Sequence, residues 1–324
     1  MFSIFKNKSV LITGGTGSFG QHFAQALSEK SEAQKIIILS RDELKQSQMQ
    51  SKFRDTRFRY FLGDIRDKER LERGFEGVDI VVHAAALKQV PALEYNPFEA
   101  VKTNIIGTQN VINTAINAGA QKILLLSTDK AANPINLYGA TKLCAEKLFI
   151  AGNAYSAGRT TLSVLRYGNV LGSRGSLLDV IKKQKATGKV QITDDRMTRF
   201  WITLDQALNF AIEALNLMKG GEVFVPKIPS MKIKDMFDTI VPGVELEVIG
   251  IRPGEKLHEV LLSEDEARHS KEIEMFYVVE PQHLGEKFMN NHNGKSLPEN
   301  FVYASNKNQQ WITPENLKEI TREN

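Results

Sequence analysis

A short apolar strand, Ser9-Val-Leu-Ile-Thr13, runs directly into Gly14-Gly-Thr-Gly17-Ser-Phe-Gly20. An amphipathic helix follows, with Phe23, Ala26 and Leu27 at helical spacing. Strand, glycine turn and helix in this order leave few folds open. The glycines permit a tight turn and a close backbone approach, and the helix N-terminus then faces an anion. Gly14, Thr16, Gly17, Ser18, Phe19 and Gly20 are thus candidates for holding a dinucleotide pyrophosphate. Apolar runs near residues 9, 36, 58, 79, 122 and 162 alternate with helical patterns, which predicts an α/β fold with a doubly wound parallel sheet.

The second strand, Lys35-Ile-Ile-Ile-Leu-Ser40, bears on the choice of dinucleotide. An acid at its end commonly holds the ribose diol of NAD. Here it ends Ser40-Arg41-Asp42-Glu43, and a hydroxyl with a guanidinium suits the 2′-phosphate of NADP. Asp42 stands one residue late and either reaches a ribose or caps the next helix. Lys45 follows on that helix. Asp64 and Ile65 close the third strand and could clamp the adenine. The small Ala84-Ala85-Ala86 run after the fourth strand leaves room for the dinucleotide backbone. Lys88 is then within reach of a phosphate or a sugar hydroxyl, or is a solvated loop lysine.

Ile123-Leu-Leu-Leu126 reads as a buried strand, so Ser127, Thr128, Asp129 and Lys130 emerge at its carboxyl end, where open parallel sheets bind ligands. Tyr138 and Lys142, four apart, share one helix face. In that position the Lys142 ammonium is expected to lower the phenol's pKa and hold it as a proton acceptor. Such a pair is common on solvated helices. Its meaning here comes from the acid and amine just upstream and the glycine turn at the N-terminus.

The 324 residues, 42% hydrophobic and 25% charged, suffice for a full core and two joined lobes. A net charge of +4, with no basic run interleaved with aromatics, argues against nucleic acid as a partner. The single cysteine, Cys144, reads as a packed helix residue, and the six scattered histidines suggest no metal site. No stretch approaches the ~20 apolar residues of a membrane span. Met1 to Lys8 lead at once into the first strand, which predicts no signal peptide and a cytoplasmic protein.

One helix is expected from Phe98 to about Ala118, with Asn104 either a functional group or a core amide. Gly168 to Gly175 reads as a glycine-broken loop, neither strand nor helix. Beyond it come Ile181-Lys-Lys and short apolar runs, and a helix from about Leu204 to Met218 returns to the sheet. Residues 1–167 with about 200–225 would form the dinucleotide domain, and 168–199 with 226–324 a smaller substrate lobe. The last thirty or so residues, rich in Asn and Lys, predict a partly mobile tail. Met49, Phe53 and Phe58 between Arg41 and Tyr60 could supply a subunit interface.

Gly14 to Gly20, Ser127-Thr-Asp-Lys130 and Tyr138-x-x-x-Lys142 together resemble the extended short-chain dehydrogenase/reductase superfamily, with its Rossmann-like fold and C-terminal substrate lobe. Within it, Ser40-Arg-Asp-Glu-Leu-Lys45, Arg166-Tyr-Gly-Asn-Val170, Thr198-Arg-Phe-Trp201 and Ile251-Arg-Pro-Gly-Glu-Lys256 are similar to the inverting UDP-N-acetylglucosamine 4,6-dehydratases, over residues 5 to about 315. Dehydratases of the deoxythymidine-diphosphate-glucose type carry Asp-Glu where this chain has Asp129-Lys130, and 4-epimerases usually lack such a pair. The resemblance implies NADP as cofactor and UDP-N-acetylglucosamine as substrate, with inversion at C5. Tyr138 would take the 4-hydroxyl proton, oriented by Thr128, and Lys130, made neutral by burial or nearby cations, the C5 proton. Asp129, or Asp129 sharing a proton with Lys130, would protonate the departing 6-hydroxyl. Leu126, Ser127, Tyr138 and Lys142 would join the cofactor site. On the substrate side, Lys88 would reach a sugar hydroxyl or phosphate, Asn169 the diphosphate, Thr193 and Met197 the uracil and ribose, Arg252 the pyrophosphate and Glu255 a ribose hydroxyl. The resemblance also implies a homo-oligomer, dimer or hexamer, and a place in surface-sugar synthesis of the pseudaminic acid type. A 4-epimerase, a retaining dehydratase and a non-catalytic NADP-binding sensor are the competing readings.

Overall fold

The computed structural model describes residues 1–172, 189–282, 284–285 and 292–322, so Ser173, Arg174, Gly175 and Ile181 lie outside the described residues. The apolar runs form parallel strands β1 (Ser9–Thr13), β2 (Lys35–Ser40), β3 (Phe58–Leu62), β4 (Ile80–His83), β5 (Lys122–Thr128) and β6 (Thr161–Tyr167). They lie in the order β3-β2-β1-β4-β5-β6, which is the doubly wound arrangement. Every residue of β1 is buried, as is the apolar stretch Ile36–Ser40 of β2, because helices cover both faces of the sheet. Register is regular, with Val10 opposite Ile36 on one side and Ile80 on the other.

The sheet continues past β6. Val223–Pro226 adds in parallel, then Phe276–Val279, Ser270–Glu272 and Lys295–Ser296 add antiparallel, giving ten strands. Strands drawn from beyond residue 226 therefore extend the large sheet as well as building the smaller lobe. That lobe has its own apolar core, in which Val190, Ile192, Met197, Trp201, Met236 and Phe237 pack with Ile312 and Leu317. The C-terminal segment is thus anchored, contrary to the mobile tail its composition suggested. Leu317 on the helix Pro314–Arg322 is fully buried, and Tyr303 is buried in the main core.

Further expectations change. The helix from Phe98 to about Ala118 is interrupted by a π-helical turn, Val101–Ile106, between Pro97–Ala100 and Gly107–Asn117. The supposed loop at Gly168 contains a short strand, Asn169–Val170, paired in parallel with Trp201 and Ile202. Met49 and Phe58 are buried in the main core and so present no surface to a partner, and Phe53 is partly buried against that core. Cys144 is exposed, because it projects nearly opposite Lys142 on a helix whose Lys142, Ala145 and Phe149 face the protein interior. Among the described residues no helix is long and apolar enough to cross a membrane.

Candidate active site

At the carboxyl ends of β1, β4 and β5 a cleft of about 570 Å³ opens between sheet and smaller lobe. Gly14, Thr16, Gly17, Ser18, Phe19, Gly20, Lys45, Ala84, Ala86 and Lys88 line one part of it. Leu126, Ser127, Thr128, Lys130, Tyr138, Lys142 and Asn169 line the rest. Ser40, Arg41, Asp64 and Ile65, with Gly14 and Ala86, line an adjoining pocket of about 130 Å³. The local sequence explains the first wall. Gly14 has φ +66°, and a Cβ there would stand 2.9 Å from Ala85 Cα. Gly17 is the N-cap of the helix Ser18–Lys30 and brings no side chain to it, and a helix N-terminus favours an anion. These features fit a dinucleotide.

At the far end, Thr16 Oγ1 and Ser40 Oγ are 2.8 Å apart and Arg41 Nη1 lies 3.8 Å from Asp64 Oδ2. Burial opposes ionisation of Asp64, but the Arg66 fork and Arg41 hold its carboxyl below the usual range. Asp42 caps the helix Glu43–Lys52, accepting from Lys45 N at 3.0 Å and pairing with Lys45 Nζ at 2.6 Å, and it lines neither pocket. Of its two expected roles, the structure gives it the cap.

Asn104, in the π-helical turn, accepts from Leu87 N at 2.8 Å and donates to Leu87 O at 2.9 Å and Thr141 Oγ1 at 3.0 Å. It is a buried clamp that ties the Ala84–Lys88 wall to the Tyr138 helix. It stands in the π-helical turn Val101–Ile106, and such turns are frequent at functional sites.

The helix Leu137–Tyr155 starts at Asn136, whose side chain accepts from Gly139 N. A Cβ on Gly139 would collide with the Lys130 carbonyl, so glycine lets this helix pack against the turn that carries Asp129 and Lys130. Asp129 is fully buried. Its Oδ1 accepts from Lys130 Nζ at 3.0 Å and from Thr128 Oγ1 at 2.9 Å. Thr128 and Lys130 both act on the Tyr138 phenol. Thr128, Asp129, Lys130 and Tyr138 are therefore one connected polar group.

Two electrostatic expectations are corrected. Burial pushes the Tyr138 phenol up, and the cation that draws it back is Lys130, assisted by the Thr128 hydrogen bond. Lys142 instead donates to Leu126 O at 2.8 Å, and burial, partly opposed by Glu146, lowers its own pKa to about 8. Lys130 is not neutralised. Burial favours the free amine, yet Asp129 and Glu259 outweigh burial and Arg199 and hold the ammonium well above the usual lysine range.

Glu259 is the residue that the sequence reading missed. It is 3% exposed, with Oε1 3.7 Å from Lys130 Nζ and 3.5 Å from Arg199 Nε, and Oε2 4.0 Å from Lys256 Nζ. Its signal was an acid directly ahead of the apolar strand Val260–Leu262. The whole segment is docked on the site, since Lys256 Nζ donates to Ala132 O at 2.7 Å and Asn136 Nδ2 to Gly254 O at 2.8 Å. The other substrate candidates spread out. Asn169 lines the cleft, whereas Thr193, Met197, Arg252 and Glu255 do not. Met197 is buried in the lobe core just ahead of the strand Thr198–Ile202, with its sulfur accepting from Thr193 Oγ1 at 3.0 Å. Arg252 is exposed in a turn closed by Glu255 N donating to Arg252 O at 3.1 Å.

The sheet order, glycine turn and Tyr138/Lys142 helix define a short-chain dehydrogenase/reductase of the extended type. Residues 10–281 match the polysaccharide biosynthesis protein family. The chain is 47% identical to the inverting UDP-N-acetylglucosamine 4,6-dehydratase of Campylobacter jejuni subsp. jejuni serotype O:23/36 (strain 81-176), over 98% of each chain. It is 39% identical to a UDP-glucose 4-epimerase of Rickettsia conorii (strain ATCC VR-613 / Malish 7), over 85% of this chain and 84% of that one. Among solved structures, Pen from Bacillus thuringiensis is similar with a TM-score of 0.89 and 38% identity, covering 100% of both chains. The chain belongs to the polysaccharide biosynthesis protein family and, within it, resembles the inverting UDP-N-acetylglucosamine 4,6-dehydratases.

Proposed function

We propose that this protein is an NADP-dependent hydro-lyase that converts UDP-N-acetylglucosamine to UDP-2-acetamido-2,6-dideoxy-β-L-arabino-hex-4-ulose. The observation that carries the reading is the Asp129–Lys130 pair, 3.0 Å apart, with Thr128 bonded to Asp129 and Lys130 acting on Tyr138. An oxidation at C4 alone needs the tyrosine. A buried acid next to an amine is what elimination across C5 and C6 adds. The dinucleotide would lie along Gly14–Gly20, Ala84–Lys88 and Lys142, with Ser40 and Arg41 at its 2′-phosphate. When bound, it supplies the hydride acceptor at C4 and the hydride donor at C6.

The residues handle the protons. Tyr138 takes the proton of the 4-hydroxyl as the ketone forms. That ketone acidifies the C5–H. Lys130, an ammonium at rest, first passes a proton to Asp129 across their hydrogen bond, and this single transfer creates both the amine base for C5 and the acid for O6. The amine then removes the C5 proton, the C6–O bond breaks, and Asp129 protonates the leaving hydroxyl so that water departs. After hydride reaches C6, a solvent-derived proton reaches C5 from the face opposite Lys130, and the proton on Tyr138 passes to solvent, which restores the resting ammonium, carboxylate and phenolate. The product's use in surface-sugar synthesis of the pseudaminic acid type follows by analogy with the dehydratase relatives.

The test is an NMR time course with UDP-N-acetylglucosamine in D2O. A 6-deoxy-4-keto product with deuterium at C5 and the L-arabino configuration supports the proposal. Formation of UDP-N-acetylgalactosamine alone would replace it with the 4-epimerase reading, which the Rickettsia relatives favour. No change with added NADP would leave the sensor reading or another nucleotide sugar.

A further inference from the structure

Lys130 has two carboxylate partners among the described residues, Asp129 at 3.0 Å and Glu259 at 3.7 Å. They differ in origin. Asp129 is its chain neighbour, whereas Glu259 arrives from the C-terminal part of the chain and is held there at its backbone. Glu259 N donates to Ser305 Oγ at 3.0 Å, and Ser305 N donates back to Glu259 O at 2.8 Å. Ser305 Oγ is in turn 2.6 Å from Thr198 Oγ1. A carboxylate so fixed and so buried is costly unless its charge is matched. Arg199 and Lys256 match it in part, and Lys130 is the third cation. Buried Asp129 Oδ2 and Glu259 Oε2 have no hydrogen-bond partner among the described residues, so neither carboxylate is fully satisfied.

We propose that Glu259 is a positioning residue for the reaction: it holds the Lys130 ammonium beside Asp129, and its charge sets the pH at which Lys130 gives up its proton. The proposal rests on the reading of Lys130 and Asp129 as base and acid. The groups that act on Lys130 or Glu259 are Asp129, Arg199 and Lys256, and Tyr138 and Lys88 are in turn acted on by Lys130. Glu259→Gln keeps the shape and removes the charge, so the ammonium loses one of its two anions. The amine then forms at lower pH, while the side chain is held less firmly.

The first readout needs no turnover. The protein without substrate is labelled with trace acetic anhydride across a pH series, and acetylation of Lys130 is followed by peptide mass spectrometry. Glu259→Gln should raise Lys130 labelling at least about tenfold at a given pH, equivalent to a midpoint lower by about one pH unit. Glu259→Asp withdraws the charge on a shorter arm and should move labelling the same way by less, which keeps the test available if the glutamine variant folds poorly. The second readout is C5 deuterium exchange. In Glu259→Gln the rising limb of its pH profile should move to lower pH and the plateau kcat should fall, with KM little changed. Folded variants that label like the parent, or an exchange profile that keeps its rising limb while only KM or stability changes, would overturn the proposal. A parent that catalyses no exchange yet shows the labelling shift keeps Glu259's control of Lys130 and removes the dehydratase reading instead.

Discussion

Arg166 Nη2 lies 2.6 Å from Glu146 Oε2, and both side chains are only 1% exposed. The same nitrogen is 2.8 Å from Glu266 Oε1, and Glu146 Oε1 accepts from Ser127 Oγ at 2.6 Å. One guanidinium on β6 thus ties the helix that carries Tyr138 and Lys142 to the short helix Glu264–Ala267. Burial opposes the charge on Arg166, but Glu146 and Glu266 hold it protonated far above any accessible pH.

Removing one partner of such a group strands the other. Arg166→Met should destabilise the fold by roughly 3–5 kcal/mol, since Glu146 is left buried and uncompensated. Urea unfolding measures this. The double variant Arg166→Met with Glu146→Gln should recover part of the loss, and additive losses would mean that the two residues do not act as a pair.

Tyr138→Phe removes the hydroxyl that Thr128 and Lys130 address and nothing else. Turnover should fall by about 10²- to 10⁴-fold, with cofactor affinity nearly unchanged. Stopped-flow oxidation and fluorescence titration separate the two quantities. A variant that keeps parent turnover would remove Tyr138 from the reaction.

Asn104→Ala leaves the N–H and carbonyl of Leu87 without their side-chain partner. The expected cost is about 1–3 kcal/mol of stability. Cofactor binding should weaken as well, because the Ala84–Lys88 wall loses its tether, and calorimetric titration would detect it. Loss of stability with unchanged affinity would mean that the clamp does not shape the cleft.

His83 is fully buried between Thr13 Oγ1 at 2.6 Å and Thr108 Oγ1 at 3.0 Å. Burial, with a smaller contribution from Lys142, lowers its pKa to about 3. Its folded value lies below the unfolded one near 6.5, so the unfolded chain takes up the proton first as pH falls. The stability tied to a neutral His83 is complete above that value and is lost progressively toward pH 3, a change on the order of several kcal/mol. Urea midpoints from pH 7 to pH 4 should fall less steeply in His83→Gln than in the parent. Parallel curves would contradict this.

On the proposed reading, Arg41 would set the preference for NADP. Arg41→Asp places a carboxylate where the 2′-phosphate would sit and can accept a ribose diol instead. The ratio of affinities for NADP over NAD should drop at least about tenfold, which is about 1.4 kcal/mol. An unchanged ratio would assign the preference to other residues.

Much of this protein is written locally. The strand, glycine turn and helix at residues 9–30, the alternation of apolar runs, and the emergence of Asp129 and Lys130 at the end of β5 all follow from neighbouring residues. Helical spacing also put Tyr138 and Lys142 on one face. Spacing fixes direction, however, and not surroundings. Cys144 was exposed and Met197 buried by packing that no local pattern encodes.

The charge states were decided by the tertiary structure alone. Lys130 is an ammonium because Glu259, from a segment docked through Lys256 and Asn136, joins Asp129 beside it. The cation that acts on Tyr138 is Lys130, while Lys142 donates to the Leu126 carbonyl. A side chain's identity and its place on a helix face are short-range properties of the sequence. Its proton affinity depends on burial and on whichever charges distant segments bring within a few ångströms, and only the folded chain fixes those.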